Sequence, residues 1–164
     1  MKLRPMLTFV GALLSVPAFA ADRISMEVGE GVHWSKGADA GFLRYARDMK
    51  FPNFPEQPAF YEFSIGAWDK KNDNNAIGLA IGIRHYWDNF HLEASGGPAW
   101  AEHKTHVSAT HEQFVLHIGG VFTVDRFEFG IFQSHYSNAK PLLGWDGRNT
   151  GYDFLTFQVG YLLK

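Results

Sequence analysis

From about residue 23 onward, apolar and polar positions alternate with a period of two, in short segments separated by turn residues. In 113–124 the even positions carry Phe114, Leu116, Ile118, Phe122 and Val124, and Gln113, His117, Gly119 and Thr123 lie between them. In 76–86, Ile77, Leu79, Ile81 and Ile83 alternate with Gly78, Ala80, Gly82 and Arg84. Phe90, Leu92, Ala94 and Trp100 alternate with His91, Glu93, Ser95 and Gly97. The last segment sets Leu155, Phe157, Val159, Tyr161 and Leu163 against Phe154, Thr156, Gln158 and Gly160. A period of two is the mark of a strand whose two faces meet different surroundings. Eight such segments are predicted, at roughly 23–32, 40–51, 58–70, 76–87, 90–102, 113–124, 127–138 and 152–164. Most have the length of a tilted membrane-crossing strand.

The connections alternate too. "HWSKGADA" (33–40), "KKNDNN" (70–75), "HKTHVSATHE" (103–112) and "AKPLLGWDGRNTG" (139–151) are long and polar. Between them fall a modest turn, "PNFPEQ" (52–57), and two tight ones, Trp87-Asp88-Asn89-Phe90 and Val124-Asp125-Arg126-Phe127. An even number of strands with short turns at one end and long loops at the other is the plan of a bacterial outer-membrane barrel. The expected fold is therefore all-β, an eight-stranded antiparallel transmembrane β-barrel.

Alternation alone does not say which face is inside. A soluble lipid-binding barrel would put the apolar face inward. Here the second face is rich in glycine and small residues, with a few charges at Glu27, Arg44, Asp48, Glu62, Arg84 and Glu93. Such a face suits the crowded polar interior of a small membrane barrel. Arg44, Glu62, Arg84, Glu93 and His117 are expected to form an interior polar network. Aromatics at strand ends (Phe51, Trp87, Phe90, Trp100, Phe127) suit an interface girdle, and most Trp and Phe are expected to face lipid.

Composition narrows the class further. Lys2 and Arg4, the apolar run Met6 to Val16, and Ala18-Phe19-Ala20 after Pro17 read as a secretory signal peptide over residues 1–20. That leaves a single domain over 21–164, with 13 basic residues against 17 acidic and a net charge of −4. This balance is not that of a nucleic-acid-binding surface. The chain has no cysteine, so an exported fold must be stable without disulfides.

One segment breaks its own pattern. In "FEFGIFQSHYSNAK" (127–140) one face runs Phe127, Phe129, Ile131, Gln133, His135, Ser137. It begins apolar and ends in a histidine and a serine two positions apart. The next strand brings Asp153 to the same face, at the same end of the hairpin. A serine nucleophile, a histidine base and an acid orienting it need just such proximity. The G-x-S-x-G elbow of soluble hydrolases is absent.

"SHYSNA" (134–139) followed by "NTGYD" (149–153) resembles the H-x-S-N-A … N-x-G pattern of the PagL-type lipid A 3-O-deacylases. The motif covers about the last 30 residues. The resemblance implies an eight-stranded outer-membrane barrel that hydrolyses the 3-O-linked acyl chain of lipid A. It implies Ser137 as nucleophile and His135 as base. Asn138, Ala139, Asn149 and Gly151 would then belong to the oxyanion hole or position substrate. Two departures stand out. The family's acid is usually glutamate, where this chain has Asp153. The intervening loop is also longer and contains Asp146, a second candidate acid.

The resemblance implies lipopolysaccharide as substrate, the outer membrane as location, and no cofactor, since Ser and His supply nucleophile and base. The histidines His103, His106 and His111 fit no standard metal-ligand spacing, so no metal is expected. An apolar barrel wall is compatible with a homodimer. The competing readings are a non-catalytic structural or adhesive barrel, an inactive relative, and a secreted lipid-binding barrel.

Overall fold

The computed structural model describes residues 23–51, 54–69, 73–105, 108–138 and 150–163. The signal-peptide segment, Ala139, Asp146 and Asn149 lie outside the described residues. The strands are β1 (Arg23–Val32), β2 (Asp39–Phe51), β3 (Phe54–Trp68), β4 (Asn74–Trp87), β5 (Phe90–Ala101), β6 (Glu112–Val124), β7 (Phe127–Ser137) and β8 (Tyr152–Leu162). Each pairs antiparallel with the next, and β8 pairs with β1 to close the barrel. Closure leaves no unpaired sheet edge, a condition for strands in hydrocarbon.

The predicted strands match these to within a few residues at most ends. The largest difference is at β3, which begins at Phe54 rather than at 58. Phe51 pairs with Phe54, after a register shift next to Met49. Pairing thus continues into the stretch read as a six-residue turn. The tight turns at 88–89 and 125–126 are built on Asp88 (φ 50°) and Asp125 (φ 57°), in the left-handed region that aspartate enters more readily than most residues.

The apolar face points outward. Ile77, Leu79, Ile81 and Ile83 of β4 are each about half exposed, as are Leu116 and Ile118 of β6 and Phe129 and Ile131 of β7. Such a wall is unfavourable in water and suits a bilayer. Trp87, Phe90, Trp100 and Phe127 lie on it near strand ends, as a girdle requires. The side chain of Phe51 is outside the described residues.

The interior has two layers. The middle and the short-turn end hold charge. Arg44 reaches Glu27 at 2.7 Å and Glu62 at 2.8 Å, while Arg23 reaches Glu93 at 2.7 Å and Arg84 reaches it at 3.1 Å. These groups are buried and cross-paired, as buried charges must be. Asp48 departs from the expected interior set: it pairs with Arg84 from the rim, with its side chain 58% exposed.

The loop end is filled by aromatics. Phe42, Trp68, Tyr136, Tyr152 and Phe154 are all buried and pack ring against ring, with Trp68 and Tyr152 centroids 4.9 Å apart. The expectation that Trp and Phe mostly face lipid therefore fails for Phe42, Trp68 and Phe154, and for Phe60 and Phe132. An eight-stranded barrel must fill its own interior with side chains, and small inward residues make room for large ones. A Cβ on Gly66 would come 2.2 Å from the Phe42 ring.

Candidate active site

His135 and Asp153 are direct cross-strand partners in the β7–β8 ladder. Both have the parity of the outward wall, since Gln133 and Ile131 below His135, and Leu155 and Phe157 below Asp153, are exposed. Partners on one face stand about 5 Å apart at Cβ, within reach of a histidine and a short acid. The His135 Nδ1–H donates to Asp153 Oδ1 at 2.8 Å. A carboxylate can only accept, so the proton in this bond sits on Nδ1; in the neutral imidazole Nε2 is then the ring nitrogen with the free lone pair. Aspartate is thus long enough here, because β8 lies directly beside β7.

Ser137 is two residues further toward the loop end, on the same face and half-buried. Its partner across the β6–β7 ladder is Phe114. Successive same-face residues stand roughly 6–7 Å apart along a strand. A serine hydroxyl, an imidazole and a carboxyl group therefore share one patch of outer wall, just inside the loop rim.

Gly151 supports the histidine. Its φ is +73°, and a Cβ there would lie 2.7 Å from His135 Cε1 and 2.6 Å from the Tyr136 carbonyl oxygen. The ring lies where a side chain at 151 would be. Asn138, directly after β7, is fully buried. His111 Nδ1 lies 2.9 Å from the Ala101 carbonyl oxygen and its ring stacks on Trp100, His103 faces Glu102, and His106 is outside the described residues. Inside the barrel, Glu62, Glu93 and His117 bring possible ligand atoms within 4.8 Å of one another. Arginines pair with both carboxylates.

Two residues escaped sequence reasoning. The β1–β2 connection folds as a short 3-10 turn, His33–Ser35, against the start of β8. The Asp153 backbone N–H donates to Ser35 Oγ at 2.9 Å, and Ser35 is fully buried. His33 Nδ1 lies 4.0 Å from Asp153 Oδ2, so the acid sits between two imidazoles. Val32 pairs with Asp153 across the closing seam, which brings this turn to the acid. A signal did exist: His33-Trp34-Ser35 repeats the His-aromatic-Ser order of His135-Tyr136-Ser137.

No known sequence family matches the chain, and no curated protein does. Solved structures do. The outer membrane enzyme PagL superposes with a TM-score of 0.65 at 16% identity, over 86% of this chain and 99% of that one. A de novo designed transmembrane β-barrel gives 0.56 at 9% identity, over 88% and 96%. The Yersinia pestis outer membrane protein Ail gives 0.52 at 12% identity, over 87% and 99%. These likenesses establish the fold, an eight-stranded outer-membrane-type barrel.

Proposed function

We propose that this protein is an outer-membrane ester hydrolase that removes the 3-O-linked acyl chain of lipid A. The observation that carries the reading is the His135–Asp153 hydrogen bond of 2.8 Å on the outward wall, with Ser137 two residues away. Ionisable residues at the level of a membrane are costly and mark candidate functional sites. The likeness to an outer membrane enzyme over nearly its whole length adds support.

In this reading Ser137 Oγ attacks the ester carbonyl as His135 Nε2 takes its proton. Asp153 holds the tautomer and stabilises the imidazolium. The proton passes to the departing alkoxide of the sugar, which leaves as alcohol. Water, activated by the same histidine, then frees the fatty acid and restores Ser137. The backbone N–H of Ala139 and the Asn149 side chain are the proposed oxyanion donors, with Asn138 fixing the turn between nucleophile and donor. Two donors at such a position are often worth 10²–10³ each in rate. Substrate arrives by lateral diffusion in the leaflet, so an exposed wall site needs no channel.

The test is the mass of lipid A from cells expressing the wild type or Ser137→Ala. The wild type should yield lipid A lighter by one hydroxyacyl chain, and the variant should not. Identical, fully acylated lipid A from both would leave the non-catalytic barrel standing.

A further inference from the structure

Two separate parts of the chain hold Asp153. Its side chain meets His135 on β7, and its backbone meets the β1–β2 turn across the closing seam. That turn is firmly placed. The Gly31 N–H donates to the Ala38 carbonyl oxygen at 2.8 Å, and the Ala38 N–H donates to the Ser35 carbonyl oxygen at 3.1 Å. Ser35 and Ala38 are fully buried. The turn folds back over the end of β1, where a Cβ on Gly31 would collide with the Ser35 carbonyl oxygen.

His33 opens this turn at φ +51°, in the left-handed region, which costs a histidine more than a glycine. Strain of this kind persists only where the surroundings impose it, and it gathers at functional sites. Here the strained residue stands beside the acid. The imidazole is 68% exposed, with Nδ1 4.0 Å from Asp153 Oδ2.

The geometry of the acid calls for such a partner. The terminal torsion of an aspartate is broad and roughly two-fold, so one bond to Oδ1 leaves the carboxylate plane free to swing. Ser35 fixes the Asp153 backbone but not that torsion. A donor on Oδ2 fixes the plane. A separation of 4.0 Å is longer than a hydrogen bond. Catalytic hydrogen bonds are often long in a free enzyme and tighten once substrate binds. An exposed imidazole has the freedom to close the gap by turning about its own side-chain torsions.

We propose that His33 is a positioning residue for the reaction: its Nδ1–H donates to Asp153 Oδ2 in the substrate complex and locks the carboxylate plane that orients His135. The assignment rests on the ester-hydrolase reading of the site. His33 touches neither the ester nor Ser137 in this scheme, and it acts only through the acid.

The experiment compares wild type, His33→Gly and His33→Asn on lipid A and on p-nitrophenyl butyrate, an ester with no sugar headgroup. Glycine removes the imidazole and suits the left-handed backbone, so folding is not what the variant tests. Asparagine also tolerates that backbone and places a side-chain N–H near the position of Nδ1. His33→Gly should lower kcat about tenfold on both esters, the kind of loss that a misplaced reacting group brings. KM should not change, as for an interaction made only in the transition state. His33→Asn, or imidazole added to His33→Gly, should restore much of the rate. An unchanged kcat, a loss confined to lipid A, or a loss accompanied by an earlier unfolding midpoint overturns the proposal. A second measurement does not depend on turnover. In Ser137→Ala protein with isotope-labelled histidine, the His135 Nδ1 proton should give a low-field resonance by NMR. Adding His33→Gly should broaden it or move it upfield, and His33→Asn should preserve it. A resonance indifferent to His33 overturns the positioning role. If the wild type hydrolyses neither ester while the resonance responds as stated, His33 does position Asp153 and the hydrolase reading fails instead.

Discussion

Two histidines on neighbouring strands face carboxylates in this barrel, and they sit one register step apart, since His117 pairs with Ser134 and His135 follows it. His117 Nε2 lies 3.1 Å from Glu27 Oε1, and His135 Nδ1 lies 2.8 Å from Asp153 Oδ1. By distance alone they are near equivalents. His117 points inward, stacks on Phe132, and shares Glu27 with Arg44 and Thr156. Its side chain is 1% exposed, against 35% for His135. One step of strand parity separates a pair enclosed in the barrel from one that opens onto the outer wall. A proton acceptor does chemistry only where substrate can reach it beside a nucleophile, and here the two-residue period decides access.

The largest expected effect cuts the outer site. Ser137→Ala should lower ester hydrolysis by about 10⁶, the scale for loss of a triad nucleophile. Its heat-modifiable gel migration should stay that of the wild type. His117→Gln, the matching change inside, should leave kcat within a few-fold. Equal losses from the two would erase the distinction between the pairs.

Next in size is the acid. Asp153→Asn keeps the shape but offers an N–H or a neutral oxygen to His135, and about 10⁴ in kcat should go. Asp146→Asn assayed in parallel should behave as wild type. The reverse result would move the acid into the long loop.

Within the barrel the effect should be on stability rather than rate. Arg44→Met strips the cation from Glu27 and Glu62, both buried. Breaking a buried pair from one side costs about 3–5 kcal/mol. Urea unfolding in lipid vesicles should show that loss, with the folded fraction hydrolysing ester at the normal rate.

The smallest effect sharpens the outer site's own support. Ser35→Ala leaves the Asp153 N–H without its buried acceptor, a cost of about 1–3 kcal/mol. Because that bond orients the acid, kcat should fall about tenfold with KM unchanged, and the pH–rate profile should shift with it. A change in thermal stability alone would make Ser35 merely structural.

Much of this was legible in the residues. Alternation in 76–86 or 113–124 fixes a strand and its two faces, because a side-chain period of two admits no other regular element. The inward charges of Arg44, Glu62, Arg84 and Glu93 were legible for the same reason. The aromatic filling at the loop end was not. Phe42, Trp68 and Phe154 are as apolar as any wall residue, and only closure of the barrel creates a space that they must fill.

The sequence by itself determined the strand count, the alternation of short and long connections, and the shared face of His135, Ser137 and Asp153. All of these are local, set within a strand or a hairpin. Only the tertiary structure decided what meets across the closing seam. There β1 pairs with β8 and brings Ser35 and His33 to Asp153, more than a hundred residues away. A single strand's pattern specifies which way its side chains point, but register and closure specify their neighbours.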